Sequence, residues 1–492
     1  MMRESNLPSK EKIGREALRV TVAKIVAQAL TLILAMLMSR FLSLEEYGTY
    51  SQIVLVITML TSLLMLGLPN SMNYFMGRAD NEIQKREFLS VYYSLSTLLG
   101  LFIGVILCCA TSLLISYFHN PAIGTLGAFL LLYPLGRIIT YSAENLFVVF
   151  HRTNSLLYYR LLYSGSLIAS ITISHFMKVS FRAYMLLLMA VTLFFSFVVY
   201  YSAYSFSGGL RLSFSISKIR SILAFSIPLG LATAVGTINI ELDKFMIGKF
   251  VNTTTLAIYT NASKEMPVAI VASAFTAVML PKFAKYLKDN KRDQVVFMWG
   301  SATKISFLFI CFLGIGMFVF APDCLRVLYS EKYVPGMNIF RVYCLVLLLR
   351  TTYFGIVLNS SGKSKLIFYS ALAALGLNCV LNFLLYQLLG IIGPAIATLI
   401  SQVVINGFQL FYSCKLLNIS MTKIFPWKDL MTILLVNVVV GIVFLLLKQI
   451  LPLDCFCGTA AESIILAIIW GVCDIVLFRN VGIREWKRFN SF

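Results

Sequence analysis

An all-α integral membrane protein is the fold class this sequence predicts, and three observations carry the prediction. Hydrophobic residues make up 59% of the 492-residue chain and charged residues only 13%, against roughly half and a quarter in soluble domains. The apolar residues fall in runs long enough to cross a hydrocarbon layer of about 30 Å. No polar stretch between the runs is long enough to hold a folded soluble domain.

In chain order the runs lie near 20–42, 47–68, 88–117, 124–149, 157–177 and 182–204. After the polar stretch Ser205 to Arg220 they resume near 221–248, 256–281, 296–320, 336–358, 366–389 and 391–414, with 428–450 and 460–479 last. They make about fourteen transmembrane helices. The polar start, residues 1–19, has no short apolar core followed by a small-residue cleavage site, so the first span is expected to direct insertion itself.

The net charge of +20 would suggest nucleic acid in a soluble chain. Its distribution says otherwise. With the N-terminus placed in the cytoplasm, 27 of the 41 basic residues fall on inner segments and 7 on outer ones. This is the positive-inside bias expected of a multi-pass protein with both termini cytoplasmic. The charge is therefore read as topology, and no nucleic-acid partner is expected.

Three pairs of positions relate the two halves. Arg40-Phe41 with Tyr50 corresponds to Lys249-Phe250 with Tyr259, Leu68-Pro69 to Leu280-Pro281, and Arg152 with Tyr158 to Lys363 with Tyr369. An even number of spans per half keeps the orientation, so the expectation is two parallel six-helix repeats forming two lobes around a central cationic cavity, plus two C-terminal helices. The boundaries follow as 1–206 for the N-terminal lobe, 207–220 for a cytoplasmic linker, 221–416 for the C-terminal lobe, and 417–492 for spans 13 and 14 with a cytoplasmic tail.

Seven basic residues remain inside spans: Lys24, Arg137, Lys244, Lys264, Lys304, Arg341 and Arg350. A cation at the bilayer centre costs about 2.5–3.5 kcal/mol on insertion scales, so one that persists faces a wet cavity or a partner. Arg137 and Arg350 lie about thirteen and fourteen residues into spans 4 and 10, near the membrane middle at about 1.5 Å per residue. Arginine suits an anionic cargo because its planar fork grips phosphate oxygens in pairs and stays charged. Arg137, Tyr141 and Glu144 share one helical face after Pro134, and an internal pair between Arg137 and Glu144 is the competing structural role.

Lys24, Gln28 and Thr31 form a polar stripe on span 1, and Thr233, Thr237, Glu241 and Lys244 form one on span 7. Lys24, Lys244 and Lys264 are expected to extend the positive field of the two arginines. Glu144, Glu241 and Asp243 are the acids available to a coupling ion, H⁺ or Na⁺, or to a structural pair. Lys264 has Glu265 beside it and the helix-bending Pro267 nearby. Lys304 and Arg341 lie nearer the interfaces, where long side chains snorkel to water. Asp474 is assigned a structural place only.

The ten cysteines show no metal-binding spacing and are read as small apolar fillers. The three histidines, His119, His151 and His175, are scattered at span ends. With no nucleophile elbow, phosphate-cradling loop or metal site, neither a cofactor nor enzymatic chemistry is expected. Tyrosines near span ends, Tyr92, Tyr93, Tyr158, Tyr159, Tyr200 and Tyr201, are assigned to interfacial belts.

Three stretches resemble the polysaccharide transporter family, the Wzx-like O-antigen and capsular oligosaccharide-lipid flippases of the multidrug/oligosaccharidyl-lipid/polysaccharide flippase superfamily. They are Leu42-Ser-Leu-Glu-Glu-Tyr-Gly-Thr-Tyr-Ser51, Glu241-Leu-Asp-Lys-Phe-Met-Ile-Gly248 with Tyr259, and Asn378-Cys-Val-Leu-Asn382 with Gly390-Ile-Ile-Gly-Pro-Ala-Ile-Ala-Thr398. The resemblance runs over about 15–415 and departs at Pro394, where the family usually has Ala. It implies alternating access and a polyprenyl-pyrophosphate-linked oligosaccharide as cargo, carried outward across the bacterial inner membrane for O-antigen, capsule or exopolysaccharide assembly. Membrane lipid and the polysaccharide polymerase machinery are the partners it implies. The alternative is a cation-coupled multidrug exporter of the same superfamily, which would be expected to carry acids in the first-half cavity. A membrane polymerase or ligase would need a larger outer loop than Ala321 to Pro335.

Overall fold

The computed structural model describes residues 10–264, 266, 268, 270–450 and 459–491. Among them are helices, turns and connections and no strand. Eleven segments are long and apolar enough to cross a membrane, or twelve if Ile216–Ile227 and Gly230–Phe250, bent by 50°, count as one span. One of the eleven, Ser364–Leu417, contains two helices separated by the short 3₁₀ turn Gly390–Ile392.

The chain divides into two compact units. The first is Met1–Glu241 with Gly248–Ala257, and the second is Leu242–Ile247 with Ile258–Phe492. The first unit holds α1 (Lys10–Phe41), α2 (Leu44–Leu64), α3 (Leu68–Gly77), α4 (Glu82–Cys109), α5 (Thr111–Phe118), α6 (Gly127–Val149), α7 (Thr153–Phe176) and α8 (Phe181–Ser207). It also takes most of α9 (Ile216–Phe250) and the first half of α10 (Thr253–Ala262). The division falls inside α9, whereas the sequence reading put the linker at 207–220.

That expected linker is pinned to its own unit. The backbone N–H groups of Arg211 and Ser213 donate to Ser90 Oγ (3.1 Å) and Ser94 Oγ (3.0 Å) on α4. Further on, Gly230 of α9 meets the turn before α3, where a Cβ would lie 1.9 Å from the Leu66 carbonyl carbon.

Within this unit α6 packs against α4, α8 and α7. The closest approach is made by Gly100 and Gly104, one turn apart on α4, a small-xxx-small pattern that lets backbones touch in lipid. A Cβ at Gly104 would lie 1.9 Å from the Leu131 carbonyl oxygen. We expect Gly104→Leu to separate α4 from α6 and cost about 1–3 kcal/mol, the usual penalty of overpacking, read as a lower unfolding midpoint of the purified protein.

The second unit holds the end of α10, α11 (Ile270–Lys288), α12 (Arg292–Val319), α13 (Ala321–Leu328), α14 (Met337–Leu348), α15 (Ile356–Ser360), α16 (Ser364–Leu389), α17 (Gly393–Leu417), α18 (Trp427–Ile450) and α19 (Thr459–Asn490). Here α12 is the hub, packed against α11, α14, α18 and α19. Trp470 of α19 is fully buried, stacked on Phe444 of α18 and sharing a core with Leu308, Cys311 and Ile315 of α12. Spans 13 and 14 thus belong to this unit.

Two expected spans are interrupted. The run 256–281 holds α10, which ends at Ala262 and is followed by a turn at Ser263, and α11, which begins at Ile270; the run 336–358 is α14 and α15, separated by residues 349–355. Backbone freed from a helix inside a membrane must be satisfied by neighbours. In the second break Asn406 donates to the Leu349 carbonyl (3.4 Å), Ser413 to the Phe354 carbonyl (3.3 Å), and Trp299 Nε1 to Thr352 Oγ1 (2.8 Å).

The elements after each second span correspond in order and length. Glu82–Cys109, Thr111–Phe118 and the 3₁₀ turn Pro121–Leu126 match Arg292–Val319, Ala321–Leu328 and the 3₁₀ turn Glu331–Gly336. This is the pattern a duplicated six-helix unit would leave.

Candidate functional site

In the first unit Arg137 sits half-buried in mid-α6, which runs unbroken through Pro134. Its guanidinium lies among phenols, with Tyr133, Tyr50 and Tyr163 all close enough to act on it. Among the described residues no carboxylate pairs with it. The expected competing partner, Glu144, is occupied by Lys24 Nζ at 2.8 Å and by the Arg160 guanidinium. The reason is register: Glu144 lies two turns beyond Arg137 on α6, and Lys24 on α1 and Arg160 on α7 reach it from the helices alongside. Two cations against one carboxylate leave this group with a surplus positive charge, as does Arg137 alone.

Lys24 is exposed, as are Gln28 and Thr31 of the same stripe. A Glu144→Gln substitution removes the charge that holds Lys24 and Arg160. For partly exposed pairs we expect a modest loss, about 0.2–1 kcal/mol each, measured as a small fall in the unfolding midpoint.

The tyrosines divide in a way the sequence reading missed. Tyr158 and Tyr201 are exposed, as an interfacial belt requires, but Tyr92, Tyr93 and Tyr159 are buried inside the unit. Tyr93 bonds Ser142 Oγ at 3.3 Å, and Tyr200 bonds Thr97 Oγ1. Position near a span end does not reveal this, and neither do the flanking residues: buried Tyr159 stands between Tyr158 and Arg160, whereas exposed Tyr201 is followed by Ser202.

In the second unit Asp243 is fully buried. It accepts hydrogen bonds from Tyr259 (2.9 Å), from Tyr343, and from the backbone N–H of Lys244 (2.8 Å). Its side-chain partners are therefore two phenols on other helices. Glu241 and Lys244, on the same helix, are both half-buried. Lys264 lies in the break after α10, close enough for Lys244 to act on it as a like charge. Its expected neighbours Glu265 and Pro267 lie outside the described residues.

Arg350 corrects one expectation. It is not fourteen residues into a continuous helix but in the break after α14, on non-helical backbone that bonds back to Leu347 (2.9 Å). The pattern after Arg350, Thr351-Thr352-Tyr353-Phe354-Gly355, carries the signal, since β-branched residues followed by Gly favour ending a helix. Asn378 and Asn382 of the third family motif are both fully buried, with the Asn382 amide donating to the Asn378 side chain (3.0 Å).

Lys304 does not snorkel. It is buried at 3% exposure, bonded to Glu485 of α19 (3.1 Å) and to Asp429 of α18. Arg341 is half-buried and donates to the Phe318 carbonyl (3.3 Å) and Asn338 (3.3 Å). At the opposite ends of α18 and α19, Asp323 receives Arg326 (2.9 Å) and Lys448, and Arg326 also holds Glu331. The Glu331 carboxyl, bonded by Arg326, is held below its ordinary range. A depressed carboxylate stabilises the fold above its unfolded value and loses that contribution as pH falls through the folded one. The contact between Arg326 and Glu331 should therefore loosen only in acid.

The profile of a family described as "Polysaccharide biosynthesis protein" matches residues 37–338. Among curated relatives, the capsular polysaccharide biosynthesis protein CapF of Staphylococcus aureus is 23% identical over 235 residues, 46% of this chain and 59% of that protein. The amylovoran biosynthesis protein AmsL of Erwinia amylovora is 24% identical over 139 residues, 27% of this chain and 35% of that one. The alignments thus span about a third to three-fifths of these relatives.

Among solved structures, the lipid II flippase MurJ in an inward closed conformation superposes with a TM-score of 0.72 at 18% identity, covering 94% of this chain and 99% of that one. An inward-facing multidrug resistance MATE family transporter gives 0.64 at 14% identity, covering 82% and 98%. A Pyrococcus furiosus transporter of the same superfamily, whose binding pocket is described as of reverse polarity, gives 0.60 at 15%, covering 82% and 95%. These likenesses establish the fold, and the profile, matching more than half of the chain, establishes that this protein is a member of the polysaccharide biosynthesis family built on that transporter fold.

Proposed function

We propose that this protein is a flippase that carries polyprenyl-pyrophosphate-linked oligosaccharide by alternating access from the cytoplasmic to the outer leaflet of the bacterial inner membrane. Both termini would be cytoplasmic. The observation that carries the reading is Arg137, a cation in mid-span surrounded by phenols and without a carboxylate partner among the described residues. Such a group is costly in lipid unless an anion visits it. A pyrophosphate supplies that anion, with oxygens spaced for a guanidinium fork.

Arg137 and Arg350 are assigned to the pyrophosphate or to acidic sugars, and Lys24, Lys244 and Lys264 to the surrounding positive field. The exporter alternative would use an acid of the first half to bind a coupling cation. The acid available there, Glu144, is already neutralised by Lys24 and Arg160.

Asp243 is our assignment for a coupling ion, supported by its full burial between Tyr259 and Tyr343. Glu241 is the second acid on the same helix. We expect Asp243→Asn, which keeps the shape while the Tyr259 and Tyr343 hydroxyls turn to accept from its amide, to fold and to lose most transport driven by an ion gradient. Flipping in proteoliposomes with and without a proton or sodium gradient checks this; gradient-stimulated flipping at the unsubstituted rate would remove Asp243 from the role.

A further inference from the structure

Outside the cation sites, the second unit has a cavity of about 520 Å³ between α12 and α19. Its walls are Leu308, Phe309 and Phe312 on one side and Ile475, Phe478 and Ile483 on the other. Two small residues of α19 make the room. A Cβ at Gly471 would lie 3.3 Å from the Phe312 ring, and one at Gly482 would meet nothing nearer than a Leu308 methyl at 3.9 Å. Phe309, Ile475 and Ile483 are exposed, so the groove opens to whatever surrounds the helix pair.

The charges around the groove are uneven. Arg479 lines the middle of the groove and Lys487 its far end, about 12 Å further along α19, both exposed. Asp474, further along the groove, lies close to Asn437 of α18. Glu485 is turned away into its bonds with Lys304, Ser301 (3.1 Å) and Arg488 (3.2 Å). Arg484 also reaches Glu485 (3.4 Å). Among the described lining residues the two cations thus outnumber the one acid, Asp474, which lies toward the other end of the groove. The positive-inside bias places this end of α19 at the cytoplasmic surface, where anionic lipids are found.

We propose that this groove is a binding site for one anionic phospholipid of the bilayer, with an acyl chain lying between α12 and α19 and the phosphate held by Arg479 and Lys487. From Arg479 to Gly471 the helix rises about 12 Å, close to the depth of one leaflet's hydrocarbon, about 15 Å. That fits a phospholipid chain and is too short for most of a polyprenyl tail. Because Lys304 and Glu485 lock α19 to α12, the groove persists whatever the transporter carries. The site is independent of the cargo reading.

The test is native mass spectrometry of the full-length protein, purified from cells that make no lipid-linked oligosaccharide and titrated with phosphatidylglycerol or phosphatidylcholine. A basic residue near an anionic headgroup contributes about a factor of five. We therefore expect a single tight phosphatidylglycerol adduct, preferred roughly thirty-fold over phosphatidylcholine. The double variant Arg479→Gln/Lys487→Gln should erase the preference, and Gly482→Phe, which fills the groove, should remove the adduct. Because Gly482→Phe also risks misfolding, the charge variant stands as an independent arm. Equal retention of both lipids, a preference that survives the double variant, or a co-purifying adduct of polyprenyl mass would overturn the proposal.

Discussion

Cells carrying Arg137→Ala and Arg350→Ala together are expected to lose surface polysaccharide while the protein reaches the membrane in normal amount. A hydrogen bond to a charged group is worth about 1.5–3 kcal/mol, so each arginine lost from a pyrophosphate should cost roughly 10- to 100-fold in cargo affinity. On the proposed reading the two act on one ligand, so the combined loss need not be additive. The lysine variants sharpen the test. Arg137→Lys keeps the charge but loses the paired fork and should transport weakly, whereas a role in packing alone would leave transport proportional to folded protein. Normal polysaccharide from the double alanine variant would remove both residues from the cargo site.

The second large effect is expected at Glu485. Removing one partner of a buried ion pair leaves the other charge stranded, at about 3–5 kcal/mol. Glu485→Ala should therefore lower the unfolding midpoint sharply by releasing Lys304 from α19. Asp429 keeps a share of Lys304, which puts the loss toward the lower end. Lys304→Met/Glu485→Leu removes both charges and should recover most of the stability, since an apolar pair of similar volume often matches a buried salt bridge. If the double variant were as unstable as Glu485→Ala, the pair would not be what holds α19 in place.

Fold class was legible because length, apolarity and charge bias act over whole segments, and each run had to become a helix to satisfy its backbone in lipid. Breaks inside runs were harder to read. The interruption at Arg350 depends on Asn406, Ser413 and Trp299 catching freed groups from other helices, and such partners are far away in sequence. The same limit separates Lys304 from Lys24. Both are lysines in apolar runs, yet one is buried against Glu485, 181 residues away, and the other is exposed beside Glu144.

Arg137 stood out from depth alone, and the structure adds that its surroundings are phenolic. The acid on its own helix face, Glu144, is claimed by α1 and α7, which helical spacing could not foresee. Asp243 was visible as an acid in an apolar span. Tyr259 and Tyr343, which hold it, were not, although Tyr259 had already marked the likeness between the halves.

The most direct test of the central claim follows lipid-linked oligosaccharide in cells depleted of this protein and in the same cells with it restored. The account predicts that polyprenyl-linked oligosaccharide accumulates in the inner leaflet on depletion, that surface polysaccharide falls, and that restoration reverses both. Unchanged lipid-linked oligosaccharide, with drug sensitivity altered instead, would contradict it and favour the exporter.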